Sequence, residues 1–436
     1  MKLSRNQIVL IGLGAILIVA IIVLVYLYRR PPQAGSEVKF TVWGTDSREI
    51  FESIIGGYKT LQPGATITYT QIDAATYGAT LLNALAAGTG PDVFEITNRE
   101  FPRQEGKLIP ADAGQFNIVK MREFFPQAVE QDFVSASGSQ IYALPLYLDT
   151  LALIYNRDFF DTAGIVSPPK TWDEFLRIVP QLKVVSPAGG ITRAAAAIGG
   201  SEKTINAAAD ILELLMLQNG VRMTSPQNNQ ASFASAMDNS TNPGTAAFNF
   251  YLQFANVASP YYTWNDGQGN SLDSFVNGKT AMIFDYAQAV ADIKIRSPFL
   301  NFAVAPMPQP KGASVDVNFP EYTGLAVSKQ SKVSGWAWDF VIYAATNQGA
   351  VKMYLDGTGR PPALKNLIAA DMNDPTFGVF AKQALTARSW YQADNLKIEN
   401  IMNTAIQSVL TGQANSESAL GRAQDQVTAL MHTGGM

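Results

Sequence analysis

Residues 142–156 read YALPLYLDTLALIYN, and Asp149 is the only charged residue in this stretch. The apolar runs on either side of it predict two buried strands, at 141–147 and at 151–155. A charge within such a run needs a partner after folding, because an unpaired buried charge is costly. The stretch therefore predicts two neighbouring strands that enclose one polar position, with Tyr147 two residues before it.

Upstream of this stretch, strand and helix patterns alternate. Strands are predicted at 37–43, 65–72 and 92–96, where β-branched and aromatic residues stand between turn signals. A helix capped by Asp46 and a second helix at 77–87 separate them. This order of strands and helices is typical of an α/β sheet with right-handed crossovers.

Downstream, the same style continues to the C-terminal part. Residues 171–174 read TWDE, a capping box that predicts the start of a helix. Further helices are predicted at 203–217, 245–256 and 287–295, further strands at 280–285 and 302–305, and a mainly helical chain beyond 334. Because 436 residues exceed what a single core usually supports, we expect two lobes.

The N-terminal segment contains 21 uncharged, mostly apolar residues at 8–28. About 20 such residues cross a hydrocarbon core of roughly 30 Å as a helix. The run is longer than a secretory signal usually has, and it ends in tyrosines and Arg29-Arg30 rather than at a cleavage site. We predict a cytoplasmic N-terminus at 1–7, a single transmembrane signal anchor at 8–28 and a linker at 29–36.

Composition excludes several classes of function. The chain has no Cys and a single histidine, His432, so cysteine chemistry and histidine-rich metal sites are excluded. Beyond the first 36 residues 28 basic residues face 36 acidic ones, which argues against nucleic-acid binding. The motifs G-x-S-x-G, G-x-x-x-x-G-K-[ST] and H-E-x-x-H are absent. We therefore expect no enzyme, no catalytic residue, no metal site and no cofactor.

Five fragments, in order, carry a resemblance to a known family. The stretch 142–156 continues into NRDFFDTAG at 156–164 and PKTWDE at 169–174. The other fragments are ALAAGTGPDV at 84–93, FVNGKTAMI at 275–283, YTGLAVS at 322–328 and GTGRPP at 357–362. Together they resemble the extracellular solute-binding proteins of ABC importers, in particular the maltose-binding-protein-like, sugar-binding family.

The resemblance implies two α/β lobes of the periplasmic-binding-protein-like fold, joined by a hinge and closing on a ligand. The first lobe is expected to contain 37–146 plus 301–345, and the second 149–300 plus 346–436. It also implies that the N-terminus lies on the cytoplasmic side of the cell membrane and that the folded body lies outside the cytoplasm. The expected partners are a small ligand, most simply a sugar, and the permease subunits of an ABC transporter.

Residues expected to bind the ligand combine aromatic rings with carboxylates, since sugar C–H faces stack on rings while hydroxyls bind carboxylates. They follow predicted strands, lie in the crossover or match family contact positions. The aromatic residue that the family has at the position of Ile96 is missing, which argues against a maltodextrin. The predicted residues are Trp43, Asp46, Asn98, Glu100, Tyr147, Asp149, Asp285, Tyr286, Gln288, Tyr322, Arg360, Trp390 and Tyr391.

Three alternatives stay open at this point. An anchored carbohydrate-active hydrolase would use two carboxylates on either side of a glycosidic bond, but sequence spacing does not show such a pair. The same fold could present its ligand to a membrane sensor instead of a permease. The ligand could also be a peptide or a polyamine, because aromatic rings and carboxylates bind cations as well.

Overall fold

The computed structural model describes residues 37–236 and 242–433. Its strands form a five-stranded sheet, a three-stranded sheet and two short pairs. The strands are β1 (Val38–Gly44), β2 (Ala65–Gln71), β3 (Val93–Thr97), β4 (Ala143–Pro145), β5 (Asp149–Thr150), β6 (Ala152–Asn156), β7 (Val184–Val185), β8 (Ile191–Arg193), β9 (Met282–Asp285), β10 (Phe302–Ala305), β11 (Pro320–Glu321) and β12 (Thr323–Val327).

Helices cover both sheets. They are α1 (Arg48–Leu61), α2 (Ala74–Ala86), α3 (Phe101–Gln104), α4 (Ile118–Phe124), α5 (Gln127–Phe133), α6 (Arg157–Thr162), α7 (Trp172–Leu182), α8 (Ala208–Gln218), α9 (Pro243–Leu252), α10 (Ser271–Val276), α11 (Ala287–Arg296), α12 (Ser334–Thr346), α13 (Gln348–Thr358), α14 (Lys365–Asp371), α15 (Gly378–Ala384), α16 (Asn395–Leu410) and α17 (Ser416–Thr433).

The five-stranded sheet has the order β2-β1-β3-β12-β4. β1 runs parallel to both β2 and β3, as the strand-helix alternation predicts, and β12 lies antiparallel between β3 and β4. The inward positions of β1 are apolar, with Phe40 and Val42 almost fully buried. The smaller sheet, β10-β6-β9, is antiparallel throughout and contains the predicted strand at 151–155 in its centre.

Local signals in the sequence place several helix ends correctly. The Thr171 hydroxyl accepts a hydrogen bond from the Glu174 N–H (3.2 Å) at the start of α7, as the capping box predicts. The Glu174 carboxylate, however, accepts from Lys170 N–H (2.7 Å), one residue before the cap. α8 begins at Ala208 rather than near residue 203, because the preceding residues form turns instead.

Two separate hydrophobic cores define two α/β lobes. The first core lies around the five-stranded sheet and the second around the three-stranded sheet. The observed packing differs from the expected boundaries in two places. β10 pairs with β6, which lies at the centre of its sheet and needs a partner on each edge, so β10 belongs to the second lobe. Helices α13 and α14 pack in the first core rather than the second.

Within residues 37–236 and 242–433, no helix is both long enough and apolar enough to span a membrane. The predictions for 1–7, 8–28 and 29–36 fall outside the described residues.

Candidate functional site

Two chain segments cross between the lobes side by side. β5 and β11 pair antiparallel there, with Asp149 opposite Glu321. Leu148, just before β5, packs in the first core, and Leu151, just after it, packs in the second. The carboxylates of Asp149 and Glu321 therefore occupy neighbouring positions at the crossing.

On the second-lobe side, the carboxylate of Asp149 lies at the N-terminus of α11. It accepts hydrogen bonds from the backbone N–H groups of Ala287 (2.8 Å) and Thr150 (2.7 Å), and a helix N-terminus favours negative charge. Burial nevertheless raises the pKa of the Asp149 carboxyl well above its usual range. Asp285 accepts from the Tyr286 N–H (2.8 Å), and burial raises the pKa of Asp285 to about 6.

On the first-lobe side, Arg360 and Asp46 form an ion pair with 3.4 Å between nitrogen and oxygen. The Tyr354 hydroxyl donates to the other oxygen of Asp46 (2.6 Å), and the Arg360 guanidinium lies 4.1 Å from the centre of the Tyr147 ring. Asp46 therefore does not cap α1 as predicted; Ser47 occupies the N-cap position.

A buried glutamate, Glu95 of β3, lies beneath the end of β1. One of its oxygens accepts from the N–H (2.9 Å) and hydroxyl (3.0 Å) of Thr45, and the other is buried with no hydrogen-bond partner among the described residues. A Cβ on Gly44 would lie 2.1 Å from that oxygen, so a larger residue there would displace the Glu95 side chain. Burial, and secondly the charge of Asp46, raises the pKa of Glu95 to about 8.

These groups form one layer of interacting charges at the crossing, which we call the polar hinge layer. Its charges influence one another: Arg360 and Glu321 both act on the pKa of Asp149. The layer consists of Asp46, Glu95, Tyr147, Asp149, Asp285, Glu321, Tyr354 and Arg360.

A direct ion pair joins the two lobes next to this layer. Arg99, which follows β3, contacts both oxygens of Asp210 in α8, at 2.6 and 3.3 Å. The Tyr286 hydroxyl donates to Asp210 (2.6 Å), and Glu321 lies 3.7 Å from Arg99. Only 12% of the Arg99 side chain and 10% of the Asp210 side chain are exposed, so the lobes are closed on each other here.

Beside the ion pair, a partly open cavity of about 490 Å³ lies between the lobes. Small-molecule sites typically measure about 300–1,000 Å³ and lie at interfaces of this kind. The first lobe lines it with residues from 98 to 105 around α3 and from 131 to 136 at the end of α5, and the second with the end of α8, the loop after it and residues 389–392. The lining side chains used below are Asn98, Arg99, Glu105, Gln131, Asp132, Arg222, Gln227, Ser389, Trp390, Tyr391 and Gln392.

The family model described as bacterial extracellular solute-binding protein matches residues 44–351, which is well over half of the chain. This chain belongs to the bacterial extracellular solute-binding proteins. The predicted family is therefore confirmed, and it is a family of binding proteins rather than of enzymes. Its name also places the body of this solute-binding protein outside the cytoplasm.

Individual relatives are distant. The multiple sugar-binding protein of Streptococcus mutans is 23% identical over 329 residues, which are 74% of each chain. A binding protein of Brucella abortus is 27% identical over 158 residues, or 35% of this chain and 37% of that protein, so the match spans little more than a third of the Brucella protein. Sequence identity to both relatives is therefore low, and neither match covers the whole chain.

Solved structures agree on the fold. The sugar-binding protein MalE from Xanthomonas citri is 20% identical with a TM-score of 0.74, covering 91% of this chain and 98% of that one. The cyclic alpha-maltosyl-1,6-maltose binding protein from Arthrobacter globiformis is 18% identical with a TM-score of 0.74, covering 91% and 99%. The predicted two-lobed, periplasmic-binding-protein-like fold is confirmed.

In this solute-binding protein the buried charges of the cavity already have hydrogen-bond or ion-pair partners. Asp132 accepts from the hydroxyls of Ser389 and Tyr322 (2.7 Å to Tyr322) and from the Asn98 amide (3.1 Å). Burial raises the pKa of Asp132 to about 6, although these donors oppose that shift. Arg99 is occupied by Asp210 and Glu321, so neither buried charge of the cavity is free for a ligand.

Two aromatic side chains form one wall of the cavity. Trp390 is 7% exposed, meets Phe233 edge to face, and donates its indole N–H to Glu213 (2.8 Å). Tyr391 beside it is 37% exposed. A buried, hydrogen-bonded ring and a more exposed ring therefore lie side by side on the second-lobe surface.

The predicted site residues fall into separate places. Asn98, Trp390 and Tyr391 line the cavity. Asp46, Tyr147, Asp149, Asp285 and Arg360 lie in the polar hinge layer, and the Tyr286 hydroxyl binds Asp210 of the ion pair beside it. Whether each of them contacts ligand stays a prediction.

The four remaining predicted residues neither line the cavity nor belong to the polar hinge layer. Trp43 is half-buried against the first core, and Gln288 is exposed in the first turn of α11. Glu100 accepts from the Thr97 N–H (3.3 Å) in the turn after β3. Tyr322 is fully buried and holds Asp132, so the structure gives it a supporting position rather than a surface one.

Several residues of the site were not predicted. Arg99 lies between the predicted residues Asn98 and Glu100. Its charge directly after a buried strand was the feature that could have identified it as part of the site. Asp210 and Glu213 stand three residues apart in the otherwise apolar α8, which brings both carboxylates to one face of the helix. Among the residues that the structure describes, no group of three or more His, Cys, Asp or Glu could hold a metal ion.

Proposed function

We propose that this protein binds a saccharide in the interlobe cavity outside the cytoplasm and delivers it to the permease of an ABC importer. The observation that carries the proposal is the character of the cavity: its buried charges already have ion-pair or hydrogen-bond partners, while amide groups and aromatic rings are available. Among the described residues the Gln227 amide makes no hydrogen bond, and Gln131 and Gln392 use only their N–H groups.

Such a lining suits a neutral ligand rich in hydroxyls. Amides both donate and accept, as sugar hydroxyls do, and the rings of Trp390 and Tyr391 offer apolar faces to the sugar C–H groups. Asp132 is satisfied by neutral hydrogen-bond donors, and the two charged lining groups whose side chains form neither an ion pair nor a hydrogen bond within the described residues, Arg222 and Glu105, have opposite signs. A polyamine would find no excess of free carboxylates there, which favours a sugar over a polyamine.

The relatives support the same substrate class. The Streptococcus mutans relative is named a multiple sugar-binding protein, and solved neighbours of this fold include a cyclo/maltodextrin-binding protein complexed with maltotetraose and a protein with mannotriose bound. The missing aromatic residue at Ile96 is a reason to test saccharides other than maltodextrins first.

The test is ligand-induced thermal stabilisation of the full chain in mild detergent. The panel is maltotetraose, mannotriose, cycloalternan and tagatose, with amino acids and spermidine as competing classes. A ligand that binds only the native state stabilises it by about 2.7 kcal/mol at 100 times its Kd. We expect a saturable rise with at least one saccharide and none with spermidine. A rise with spermidine alone would overturn the sugar assignment.

Delivery to a permease is separable from binding. Deleting the gene should abolish uptake of the labelled saccharide by whole cells, and restoring it should recover uptake. Normal uptake with loss of a transcriptional response to the saccharide would instead favour presentation to a membrane sensor.

We also propose that residues 8–28 stay attached as a single membrane anchor with the N-terminus inside, and that 29–36 link it to the body. Support comes from the length of the uncharged run, which exceeds a usual secretory h-region, and from the tyrosines and Arg29-Arg30 at its end. The mature protein should stay with membranes after a carbonate wash, and its intact mass should include residues 8–28. A shorter mass with release into the wash would show cleavage.

A further inference from the structure

Glu213 is a buried acid that does not line the cavity but forms hydrogen bonds with two residues that do. It is 1% exposed in α8 and is not among the lining residues. One carboxylate oxygen accepts from the Trp390 indole N–H (2.8 Å) and from the Gln392 amide N–H (3.0 Å). Both of these donors do line the cavity.

The two hydrogen bonds set what the cavity wall presents. An indole N–H can only donate, so a buried tryptophan needs an acceptor, and Glu213 supplies it. The Gln392 amide directs its N–H group to Glu213, which leaves its oxygen without a hydrogen bond among the described residues. Without Glu213 the amide would be free to rotate and present either end.

Burying an acid at this position costs folding free energy, so a functional role would explain its presence. Most neighbours of Glu213 in α8 are buried apolar residues, and a leucine would fill the space without a buried polar group. We propose that Glu213 is a positioning residue for ligand binding: it fixes the Trp390 ring and turns the Gln392 amide so that its oxygen accepts from the ligand. The inference rests on the proposed function in so far as the cavity is the ligand site.

The charged groups around Glu213 come from three elements. Asp210 lies one turn earlier in α8, Glu399 lies in α16, and Arg99 reaches in from the first lobe. Burial, and secondly the charge of Asp210, raises the pKa of Glu213 to about 8, while Trp390 and Arg99 lower it. Because ionised acceptors form stronger hydrogen bonds, raising the pH through this range changes the environment of the Trp390 indole.

The first experiment compares E213L and E213Q in the full chain, using the panel compound that stabilises the wild type most. E213L removes the oxygen that accepts both hydrogen bonds, so its affinity should fall roughly tenfold, since two hydrogen bonds contribute about that much. E213Q keeps one acceptor oxygen and should stay within about threefold. L212A, a fully buried residue of the same helix, should lower the thermal midpoint without weakening binding.

A double-mutant cycle with W390L locates the effect. In the W390L background E213L should weaken binding much less than in the wild type, because one of the groups that it positions is already gone. Equal losses in both backgrounds, or wild-type affinity of E213L, would overturn the proposal.

A second measurement requires no ligand, and it does not depend on whether E213L folds. Tryptophan emission of the wild type should change between pH 7 and pH 9, and the change should be absent from E213Q and from W390F. An unchanged wild-type emission, or a change that persists in E213Q, contradicts the positioning role. If no compound binds the wild type, the proposed function fails, while this titration still decides whether Glu213 controls Trp390.

Discussion

The interlobe cavity and the polar hinge layer both adjoin the Arg99–Asp210 ion pair, but they differ in their polar groups. In the cavity the buried charges already have ion-pair or hydrogen-bond partners, and amides and ring faces are free. The hinge layer concentrates carboxylates with Arg360 as the cation, and burial raises the pKa of Asp149, Asp285 and Glu95.

The difference separates recognition from closure. Free amides in a partly open cavity suit ligand hydroxyls, whereas buried carboxylates that bind backbone N–H groups and one arginine fix the geometry of the crossing segments. The sequence motif that best indicates the family, 142–156, contains the hinge layer's Asp149. On this account a family signature identifies the hinge more directly than it identifies the ligand site.

The largest effect is expected from Arg99→Leu, which breaks the link between the two regions. Asp210 is then buried without its cation only when the lobes close, so closure and ligand affinity should weaken by about a hundredfold. Titration calorimetry with the saccharide that binds the wild type measures this. Adding D210N should recover part of the loss; strictly additive losses would show that Arg99 acts by touching the ligand.

The hinge layer should make stability depend on pH through Glu95. Its pKa rises from about 4.5 in the unfolded chain to about 8 in the folded one, so the folded state binds the extra proton between these values. Its contribution is complete below pH 4.5 and is lost as pH rises through 8, by about 1 kcal/mol per pH unit. Urea unfolding at pH 6, 7 and 8 should show this slope flattened in E95Q; an identical slope would remove Glu95 from the hinge account.

Arg360→Met should lower stability but spare recognition. Losing the cation beside Asp46 and Glu95 should cost about 1.5 kcal/mol of unfolding free energy, reduced from a fully buried value because 22% of the Arg360 side chain is exposed. Ligand affinity should change less than threefold. R48M, at an exposed ion pair with Glu52, is the matched control, and we expect no loss of stability from it. A large loss of ligand affinity in R360M would show that the hinge layer and the cavity form one ligand site.

The smallest effect is expected in the cavity wall. Tyr391→Ala removes a partly exposed ring and should weaken saccharide binding about fivefold without lowering the thermal midpoint. Gln288→Ala, at a predicted residue that does not line the cavity, should leave both unchanged. Fluorescence titration compares the two variants, and the reverse order would favour a ligand site at α11.

The sequence predicted the lobes and the order of strands and helices in the first sheet, because these rest on local patterns such as the alternation in β1 and the capping box at Thr171. It missed the position of β10, whose partner β6 lies about 150 residues earlier, a pairing that no local pattern reports.

The site was predicted in part for a similar reason. Asp149 was recognisable as a charge within an apolar run, and Trp390 as a family contact position. Asp46 was predicted as a helix cap or a ligand contact, because the sequence does not show that Tyr354 and Arg360, some 300 residues later, come to bind it. Glu213 likewise gave no sign of its partners, since Trp390 and Gln392 are about 180 residues away.

The most direct test of the account is a crystal structure of the protein with the saccharide that stabilises it most. We predict density for the sugar in the cavity lined by Asn98, Trp390 and Tyr391, with the Arg99–Asp210 pair intact and the hinge layer unchanged. Density between Trp43, Asp149 and Asp285 instead, with those carboxylates binding the sugar hydroxyls, would contradict the separation of recognition from closure.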